Sequence, residues 1–482
     1  MNVDFTLLIP EFILAGVGFL VLLVDMVLPT RWERRRNAAT ATTAAVGLAA
    51  VFAVALATQT DTRTFLYDRI LYVDRYSLLF KALFTGVGFA VVLMSVDYVG
   101  RKMSHPGEYY ALVVFAVLGA DLMASSGELL TAFISIELLS FSLYVLVALT
   151  RGDRRSAEAS TKYILLGAIS SAVMLYGISL LYGAIGATAF SAMTSHLGVI
   201  MPLTVILGLV MFIAGLAFKL SIAPFHLWAP DVYEGAPTPV TALIAVLSKA
   251  AAFALLLRFL AEAAPNAVDE WQLPLAILAA LTMTVGTLTA LAQTNIKRLL
   301  AYSSIAQVGF VLVGVVALSE AAANAVLLHL VGYAFTNLAA FMVVIAVEAR
   351  TGKEEVAGYA GLASRNPFLA MVMTASLFSL AGLPIFAGFI TKFYLFTAAS
   401  DAGLLWLAAI AIVNSVISLY YYLRVVREMY ISEPGESGRV PVPLLGMAVL
   451  WLLFAGTVAV GVYPGPLVDA VDAATDVLTP FI

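Results

Sequence analysis

The chain has 482 residues, of which 62% are hydrophobic and 12% are charged, and its formal net charge is −4 at pH 7. A soluble protein carries about 25% charged residues, so this composition excludes a water-soluble globular protein, a disordered chain and a nucleic-acid binder. The chain has no cysteine, which excludes disulfides, thiolate-bound iron–sulfur clusters, cysteine nucleophiles and cysteine-rich zinc sites within it. The sequence therefore predicts an all-α polytopic membrane protein.

Apolar stretches long enough to cross a bilayer follow one another along the whole chain. A helix needs about 20 mostly apolar residues to cross about 30 Å of hydrocarbon. Fourteen such spans are predicted, over residues 5–28, 38–57, 76–99, 109–125, 129–149, 162–185, 201–223, 240–260, 273–292, 300–318, 322–347, 367–398, 402–425 and 442–463. The first span lacks a preceding basic region and is too long for a cleaved signal peptide, so it is predicted to be a membrane helix.

Basic residues in the connections alternate in number from one side of the membrane to the other. The richer side has seventeen: Arg31, Arg34, Arg35, Arg36, Arg101, Lys102, Arg151, Arg154, Arg155, Lys297, Arg298, Arg350, Lys353, Arg365, Arg424, Arg427 and Arg439. The opposite side has only Arg63, Arg69 and Arg75. The positive-inside rule therefore places the richer side in the cytoplasm and both termini outside.

Proline and glycine residues interrupt two of the spans. Pro224 follows the seventh span, and Gly382 and Pro384 break the twelfth. Broken helices at corresponding positions of two halves are typical of a transport site. These two spans are five apart, which is an odd number, so two five-helix units would have inverted orientations. Ordinary proline kinks are the alternative explanation.

This pattern divides the chain into four predicted segments. An N-terminal three-helix segment is followed by two five-helix repeats, made of spans four to eight and spans nine to thirteen. A cytoplasmic connection and a C-terminal helix complete the chain. The corresponding residue ranges are 1–108, 109–262, 263–427 and 428–482.

Four charged residues are predicted to lie deep in the membrane. Glu137 is the ninth residue of the fifth span and Lys249 the tenth of the eighth, while Lys219 and Lys392 lie in the seventh and twelfth. A charge at the bilayer centre costs about 2.5 to 3.5 kcal/mol, so these residues should face the bundle interior and one another. A structural ion pair between Glu137 and one lysine explains only two of the four charges. An ion or proton pathway explains all of them.

Other charged or titratable residues are interpreted as follows from their positions in the spans and connections. His329, about two turns into the eleventh span, is either a hydrogen-bonded packing residue or part of a relay. His226, in the connection after Pro224, and Lys162 are accessory candidates. His105 and His196 are interpreted as loop residues. The long side chains of Lys81, Lys162 and Arg258 lie within two turns of a span end, so snorkelling to water explains them.

The chemistry of a buried lysine suits proton transfer. Burial removes water from the ammonium group, so the group can exchange a proton near neutral pH, and a carboxylate about 4 Å away opposes this by roughly 4 kcal/mol. Movement of Glu137 relative to Lys219 would switch that lysine between holding and releasing a proton. Lys249 is then the acceptor and Lys392 the terminal donor. The sequence has no phosphate-binding loop, haem-ligand pair or metal site, so the energy source is predicted to lie in another chain.

Five sequence motifs are distributed along the chain. They are Ile9-Pro10-Glu11, SFSLY at 140–144, FKLSIAPFHLWAPDVYEGAPTP at 218–239, NIKRLLAYSSI at 295–305 and GLPIFAGF at 382–389. With them, nearly the whole chain resembles the antiporter-like membrane subunits of respiratory complex I, the NADH-quinone oxidoreductases. The long proline-rich segment is highly specific for this superfamily. The opening motif and the chain length favour the N type of these subunits.

The resemblance implies a fold and a set of partners. It implies fourteen helices with two inverted five-helix repeats and discontinuous seventh and twelfth helices. It also implies proton pumping driven by quinone reduction in other subunits, which would carry flavin and iron–sulfur clusters, with no cofactor bound by this chain. The implied partners are other membrane subunits, including paralogous antiporter-like ones, and a peripheral electron-transfer arm. The implied location is a bacterial inner membrane or an equivalent energy-transducing membrane.

The resemblance also implies roles for individual residues. Glu137 matches a glutamate that pairs with the lysine at Lys219, Lys249 matches the central lysine, and Lys392 matches the residue leading to the exit side. His329 fits a bridge between Lys249 and Lys392. The M-type subunits have glutamate at the last position, and the L-type subunits have a long lateral C-terminal helix, so both differ from this sequence.

Two alternative functions share these features. One is a subunit of a multi-subunit sodium/proton antiporter, whose charged residues would look nearly identical. The other is a related complex that receives electrons from ferredoxin or another donor instead of NADH. Identification of the subunits that copurify with the chain would separate them.

Overall fold

The fold is built almost entirely of helices that cross the membrane. A computed structural model describes residues 5–58, 64–66, 69–150, 152–194, 196–197, 201–434 and 438–479. The first half contains α1 (Ile9–Val27), α2 (Glu33–Ala57), α3 (Arg75–Lys102), α4 (Pro106–Ser125), α5 (Leu129–Ala148), α6 (Arg154–Ile185), α7 (Phe190–Thr194), α8 (Leu203–Leu220), α9 (Trp228–Gly235), α10 (Thr238–Leu243) and α11 (Lys249–Glu262). The second half contains α12 (Val268–Ala290), α13 (Ile296–Ala317), α14 (Glu320–Thr351), α15 (Leu362–Arg365), α16 (Pro367–Ala381), α17 (Ala387–Asp401), α18 (Leu405–Tyr430), α19 (Leu444–Val462) and α20 (Gly465–Thr475). The prediction of an all-α polytopic membrane protein is confirmed.

The helices agree with thirteen of the fourteen predicted spans. Thirteen helical segments in the described ranges are long and apolar enough to cross a membrane. The predicted span 367–398 is the exception, because it consists of two helices of 15 residues each, α16 and α17. Among the basic residues used to orient the spans, Arg63 and Arg151 lie outside the described residues.

Both predicted helix breaks occur, and the helices that precede them end in the same way. Helix α8 ends at Ser221, which has a left-handed φ of 63°, and α16 ends at Gly382, with a φ of 88°. In each case the next amide bonds back to a carbonyl five residues earlier, from Ile222 to Ala217 at 2.8 Å and from Leu383 to Phe378 at 2.9 Å. Such a cap satisfies carbonyls that the ended helix leaves open. The chain then resumes as α9 and α17.

The two halves contain a similar succession of elements. Three long helices, α4 to α6, precede the broken pair α8 and α9 and the helix α11; three long helices, α12 to α14, precede the broken pair α16 and α17 and the helix α18. This succession supports the prediction of two five-helix units. Their inverted relation and the four segment boundaries remain predictions.

Burial differs strongly between helices. The segment from α10 to α11 is buried along its whole apolar length, and α13 and α14 are buried almost as fully. In contrast, α1, α6 and α19 expose most of their apolar residues, as expected of helices that face lipid. Lys249 and His329 therefore lie on the central helices of the bundle.

Several elements were not predicted from the sequence. A short antiparallel hairpin pairs β1 (Thr64–Leu66) with β2 (Leu71–Val73) between α2 and α3. A π-helical turn covers Ile244–Ser248 and joins α10 to α11 directly before Lys249. Such turns are rare and occur often at functional sites. Helix α20 follows the last span and packs against α14 and α3.

Candidate functional site

Lys249 is the first residue of α11, immediately after the π-helical turn. Its side chain is 2% exposed, and its ammonium nitrogen Nζ has no hydrogen-bond partner among the described residues. The nearest aromatic group is the ring of Tyr233 on α9, whose centroid lies 5.9 Å from Nζ. A ring at this distance attracts a cation only weakly. Lys249 is therefore a buried amine without a carboxylate partner.

A line of buried hydroxyl groups begins at Tyr233. Its phenolic oxygen lies 3.4 Å from Oγ of Ser304 on α13. The same Ser304 oxygen lies 2.7 Å from the hydroxyl of Tyr333 on α14. A hydroxyl group both donates and accepts hydrogen bonds, so each of these groups can pass a proton on. The three residues connect the broken seventh span to the centre of the second half.

The line continues through His329, one helical turn before Tyr333. The two rings are stacked, with centroids 6.4 Å apart and an interplanar angle of 13°. The ring nitrogen Nδ1 of His329 lies 3.0 Å from Oγ1 of Thr391, while Nε2 has no hydrogen-bond partner in the described structure. Thr391 directly precedes Lys392 on α17. The predicted bridging position of His329 agrees with this geometry.

Lys392 has protein partners, unlike Lys249. Its Nζ donates to the carbonyl oxygen of Leu380 at 2.8 Å and to Oγ of Ser415 at 3.0 Å, and lies 4.3 Å from the ring centroid of Phe310. The carbonyl of Leu380 belongs to the last turn of α16, where the helix dipole attracts a cation. The lysine on the second half of the broken helix therefore binds the end of the first half. Gly382 makes this approach possible, because a Cβ atom there would lie 3.1 Å from Cδ of Lys392.

Glu137 and Lys219 lie near one another without direct contact. Ser140, one turn after Glu137 on α5, accepts a hydrogen bond of 2.8 Å from Nζ of Lys219. Ser171 on α6 donates a hydrogen bond of 2.5 Å to Oε1 of Glu137. No ion pair joins Glu137 to Lys219 in the part of the chain that the structure describes. In the described structure, Glu137 and Lys219 therefore do not form the ion pair expected from the sequence, and their functional pairing remains a prediction.

The two accessory candidates lie in different surroundings. His226 is buried in the break after α8, and the charge of Lys249 acts on it. Lys162 is 42% exposed and pairs with Glu158 and Asp231, each at 2.7 Å. These pairs line a polar cavity of about 260 Å³. His226 is thus close to the central lysine, whereas Lys162 belongs to a cluster at the predicted cytoplasmic face.

A second polar cavity lies at the same predicted face, with a volume of about 310 Å³. Lys297 borders it and donates both to Glu354 and to the backbone carbonyl of Ala236, at 2.9 Å each. Glu348 also borders it and accepts a 2.5 Å hydrogen bond from Thr238, the first residue of α10. A carboxylate that borders this cavity, Glu348, therefore contacts the segment that leads to Lys249.

Snorkelling was the wrong interpretation for Lys81 and Arg258. Both side chains are wholly buried. Arg258 makes two hydrogen bonds of 2.8 Å to Asp74 and one of 3.1 Å to Glu262. Lys81 forms an ion pair with Glu11 on α1. Nearness to a helix end along the sequence does not place a side chain at the water surface when neighbouring helices cover it.

The sequence analysis missed the hydroxyl groups that surround the charged residues. These groups are Ser140, Ser171, Tyr233, Ser304, Tyr333, Thr391 and Ser415. Serine, threonine and tyrosine are common in membrane helices, so their presence alone gives no signal. Ser140, Tyr233 and Ser304 do occur within the motifs named above, which was the one available indication. Among the described residues, no group of three or more histidine, aspartate or glutamate side chains comes together in a way that could hold a metal ion.

Comparison with known proteins gives consistent results. The family model described as "NADH:quinone oxidoreductase/Mrp antiporter, TM" matches residues 126–418. NADH-quinone oxidoreductase subunit N of Heliobacterium modesticaldum is 41% identical over 474 residues, which is 98% of this chain and 99% of that protein. A chain of respiratory complex I from Thermus thermophilus is 34% identical, with a TM-score of 0.80 and coverage of 96% and 100%. A chain of the Mrp complex from Dietzia shares the fold, with a TM-score of 0.82 at 22% identity and coverage of 99% and 97%.

Proposed function

We propose, because the chain belongs to the family of NADH-quinone oxidoreductase N subunits, that it moves protons across the membrane through the residues from Glu137 to Lys392. The chain is a multi-pass membrane subunit of an oxidoreductase complex. We propose further that partner subunits hold the flavin and the iron–sulfur clusters and reduce a quinone. In this proposal the chain itself binds none of these groups and supplies only the proton path.

One observation carries the proposal. A line of buried titratable and hydroxyl groups extends from Lys249 through Tyr233, Ser304 and Tyr333 to His329, and from there through Thr391 to Lys392. A purely structural ion pair needs no such line, and within the described ranges Lys249 has no carboxylate with which to pair. Thr391 and Lys392 are neighbours in the chain, without a hydrogen bond between their side chains in the described structure. Two other steps, from Lys249 to Tyr233 and from Tyr333 to His329, are ring contacts. A water molecule would have to bridge these two steps.

The proposed cycle begins at Glu137. When its carboxylate moves from Ser171 towards Lys219, the lysine is stabilised as an ammonium ion; when it moves back, Lys219 releases a proton towards Lys249. Lys249 has no protein partner that holds its charge, so it passes the proton along the hydroxyl line. Lys392 receives it, and its bonds to Leu380 and Ser415 hold it until release.

The proposed orientation follows from the basic connections. With both termini outside, the cavities beside Lys297 and Lys162 open to the cytoplasm and supply the protons. The membrane would be a bacterial inner membrane or its equivalent. The finding that supports this orientation is the concentration of charged pairs at one end of the bundle.

The central test is the Lys249→Met variant of the assembled complex, reconstituted in liposomes. Protons moved per quinone reduced are measured with a pH-sensitive dye while donor oxidation is followed separately. We expect proton transport to fall by about tenfold or more, because removal of a proton carrier costs at least this in acid–base steps. Unchanged proton transport in Lys249→Met would show that the line is structural.

The matched control is Lys297→Met, which removes another buried lysine. Its partners Glu354 and Ala236 lie at the predicted cytoplasmic end, so we expect less assembled complex with an unchanged ratio of protons to electrons. A selective loss of proton transport in Lys297→Met would contradict its assignment outside the path.

The partners are tested by gentle extraction of the tagged chain from its native membrane. Companion subunits with flavin and iron–sulfur spectra, and donor-to-quinone activity, would establish the proposed complex and name its donor. Companions that are all small membrane subunits, with sodium-dependent proton exchange, would instead establish the antiporter function.

A further inference from the structure

A buried group of charged residues lies outside the proton path, in the N-terminal helices. Lys81 on α3 forms an ion pair with Glu11 on α1. Asp121 is the third member: it lies on α4, which packs against both α1 and α3, and the charges of Lys81 and Glu11 act on it. All three precede residue 126, where the match to the family model begins. The proposed pathway uses none of them.

Asp121 is the unusual member of this group. Its side chain is wholly buried, and both of its carboxyl oxygens lack a hydrogen-bond partner among the described residues. Oε2 of Glu11 is likewise buried without a partner. An ionised carboxylate is strongly destabilised in such surroundings unless a cation or several donors compensate it. Lys81, which pairs with Glu11, is the cation whose charge acts on Asp121.

The cluster contains two carboxyl groups and one ammonium group. The other elements that pack against α4 do not neutralise the second carboxyl group. Helix α4 packs against α1, α2, α3, α5, α11, β2 and the π-helical turn Ile244–Ser248. Of these elements, only α1 and α3 contribute a charged group that acts on Asp121. Of the two cations on α11, Arg258 is held by Asp74 and Glu262, and Lys249 is not among the charges that act on Asp121. With both carboxyl groups ionised, the cluster would carry one uncompensated negative charge inside the membrane.

The three residues lie near one end of their helices. Glu11 is the third residue of α1, Lys81 the seventh of α3, and Asp121 stands four residues before the end of α4. In the predicted topology these ends are all on the outer side. Ser125, one turn beyond Asp121 on the same helix face, has a buried hydroxyl without a hydrogen-bond partner in the described structure. It is the next polar group from Asp121 towards that side.

We propose that Glu11, Lys81 and Asp121 form a second proton-binding site, in which Asp121 binds a proton taken from the outer aqueous phase. The proton adds to one carboxylate oxygen, so the carboxylate becomes a neutral carboxyl group and no other bond changes. Lys81 and Glu11 remain an ion pair, and the cluster as a whole becomes neutral. Ser125 provides the step between Asp121 and the helix end. This site does not depend on the pathway from Glu137 to Lys392.

The test is infrared difference spectroscopy of the assembled complex in lipid, in water and in deuterium oxide. A protonated carboxyl group has a carbonyl stretching band that a carboxylate lacks, and the band shifts in deuterium oxide if the proton exchanges. We expect Asp121→Asn to remove one such band from the wild-type spectrum. We expect Glu11→Gln to remove it as well, because Asp121 can then ionise beside Lys81.

For a third variant we expect the opposite change, the gain of a carboxyl band. Lys81→Met removes the only cation of the cluster, so both carboxyl groups should be protonated and a second band should appear. The control is Asp97→Asn, on the exposed face of α3, which should leave the carboxyl bands unchanged. If Asp121→Asn and Glu11→Gln both preserve every carboxyl band, or if the Asp121 band does not shift in deuterium oxide, the proposed exchangeable proton does not exist.

Discussion

Nδ1 of His329 lies 3.0 Å from the hydroxyl oxygen of Thr391, so this histidine is hydrogen-bonded to the residue directly before Lys392. The two residues belong to different helices, α14 and α17, and 62 positions separate them in the chain. Thr391 therefore connects the line of hydroxyl groups from the centre of the bundle to the second broken helix. Its hydroxyl is the group that joins His329 to α17 in the proposed path.

Replacement of that hydroxyl should interrupt proton transport. Thr391→Val has nearly the same shape as the native residue but cannot form a hydrogen bond with His329. We expect the number of protons moved per quinone reduced to fall by about tenfold, since a lost acid–base partner slows proton transfer by this much or more. Dye-monitored proton uptake into liposomes that contain the complex measures the effect.

Thr391→Ser is the control for this change. It keeps the hydroxyl and loses one methyl group, so transport should stay close to that of the native complex. Equal transport by the valine and serine variants would show that His329 does not pass protons through Thr391.

Tyr333→Phe removes the hydroxyl that contacts Ser304 at 2.7 Å. We expect it to lower proton transport strongly while the amount of assembled complex changes little, because one buried hydrogen bond contributes only about 1 kcal/mol. Transport and assembly are compared in the same membrane preparation.

Tyr109→Phe provides a matched change outside the path. Tyr109 is a buried tyrosine whose hydroxyl lies 2.7 Å from that of Ser95, the same distance as in the Tyr333 pair. Its loss should cost a similar amount of stability and leave proton transport intact. A similar transport defect in both variants would mean that the defect of Tyr333→Phe reflects packing alone.

Gly382→Ala tests the contact between the two parts of the broken helix. Gly382 has a φ of 88°, and the added Cβ would lie 3.1 Å from Cδ of Lys392 and 3.5 Å from Oγ of Ser415. We expect displacement of Lys392 and a fall in transport, in addition to a stability loss of about 1 kcal/mol for alanine at positive φ.

Gly186→Ala separates the two effects, because Gly186 has a φ of 76° and no atom within 4 Å of the added Cβ. The backbone strain is comparable, so thermal denaturation should show a similar loss of stability for both variants. Only Gly382→Ala should lower proton transport. Equal transport by the two variants would exclude a role for the position of Lys392.

Arg258→Met should act on assembly and not on transport. Arg258 is wholly buried and its guanidinium group satisfies both Asp74 and Glu262. Removal of one partner from a buried ion pair costs about 3–5 kcal/mol, because the remaining charges are left uncompensated. We expect little assembled complex, as measured by quantitative native electrophoresis of membranes.

Asp74→Asn is the milder companion variant, because it keeps the shape of the side chain and leaves Glu262 as the counter-charge. The amount of assembled complex should lie between that of the native protein and that of Arg258→Met. Normal assembly of Arg258→Met would show that the buried cluster does not hold α3 against α11.

The intramembrane charges could be singled out from the sequence for a physical reason. Glu137 and Lys249 stand in the middle of apolar runs that have to cross the membrane, so any such fold places them at the depth of the bilayer. The burial of Lys219, Lys249 and Lys392 agrees with that expectation. In contrast, Lys81 and Arg258 lie near span ends, where exposure depends on the lateral packing of other helices. Sequence distance from a helix end contains no information about that packing.

The sequence by itself determined the membrane class, the spans and the two helix breaks, because hydrophobic length and proline or glycine placement act locally along one helix. Only the tertiary structure decided which groups meet. Ser304 contacts both Tyr233 and Tyr333, and Thr391 contacts His329, through packing of helices that are distant in the chain. The same packing leaves Lys249 without a partner and encloses Asp121 with Lys81 and Glu11. Hydrogen bonds between helices depend on their rotation and depth relative to one another, and the apolar pattern of a single helix fixes neither.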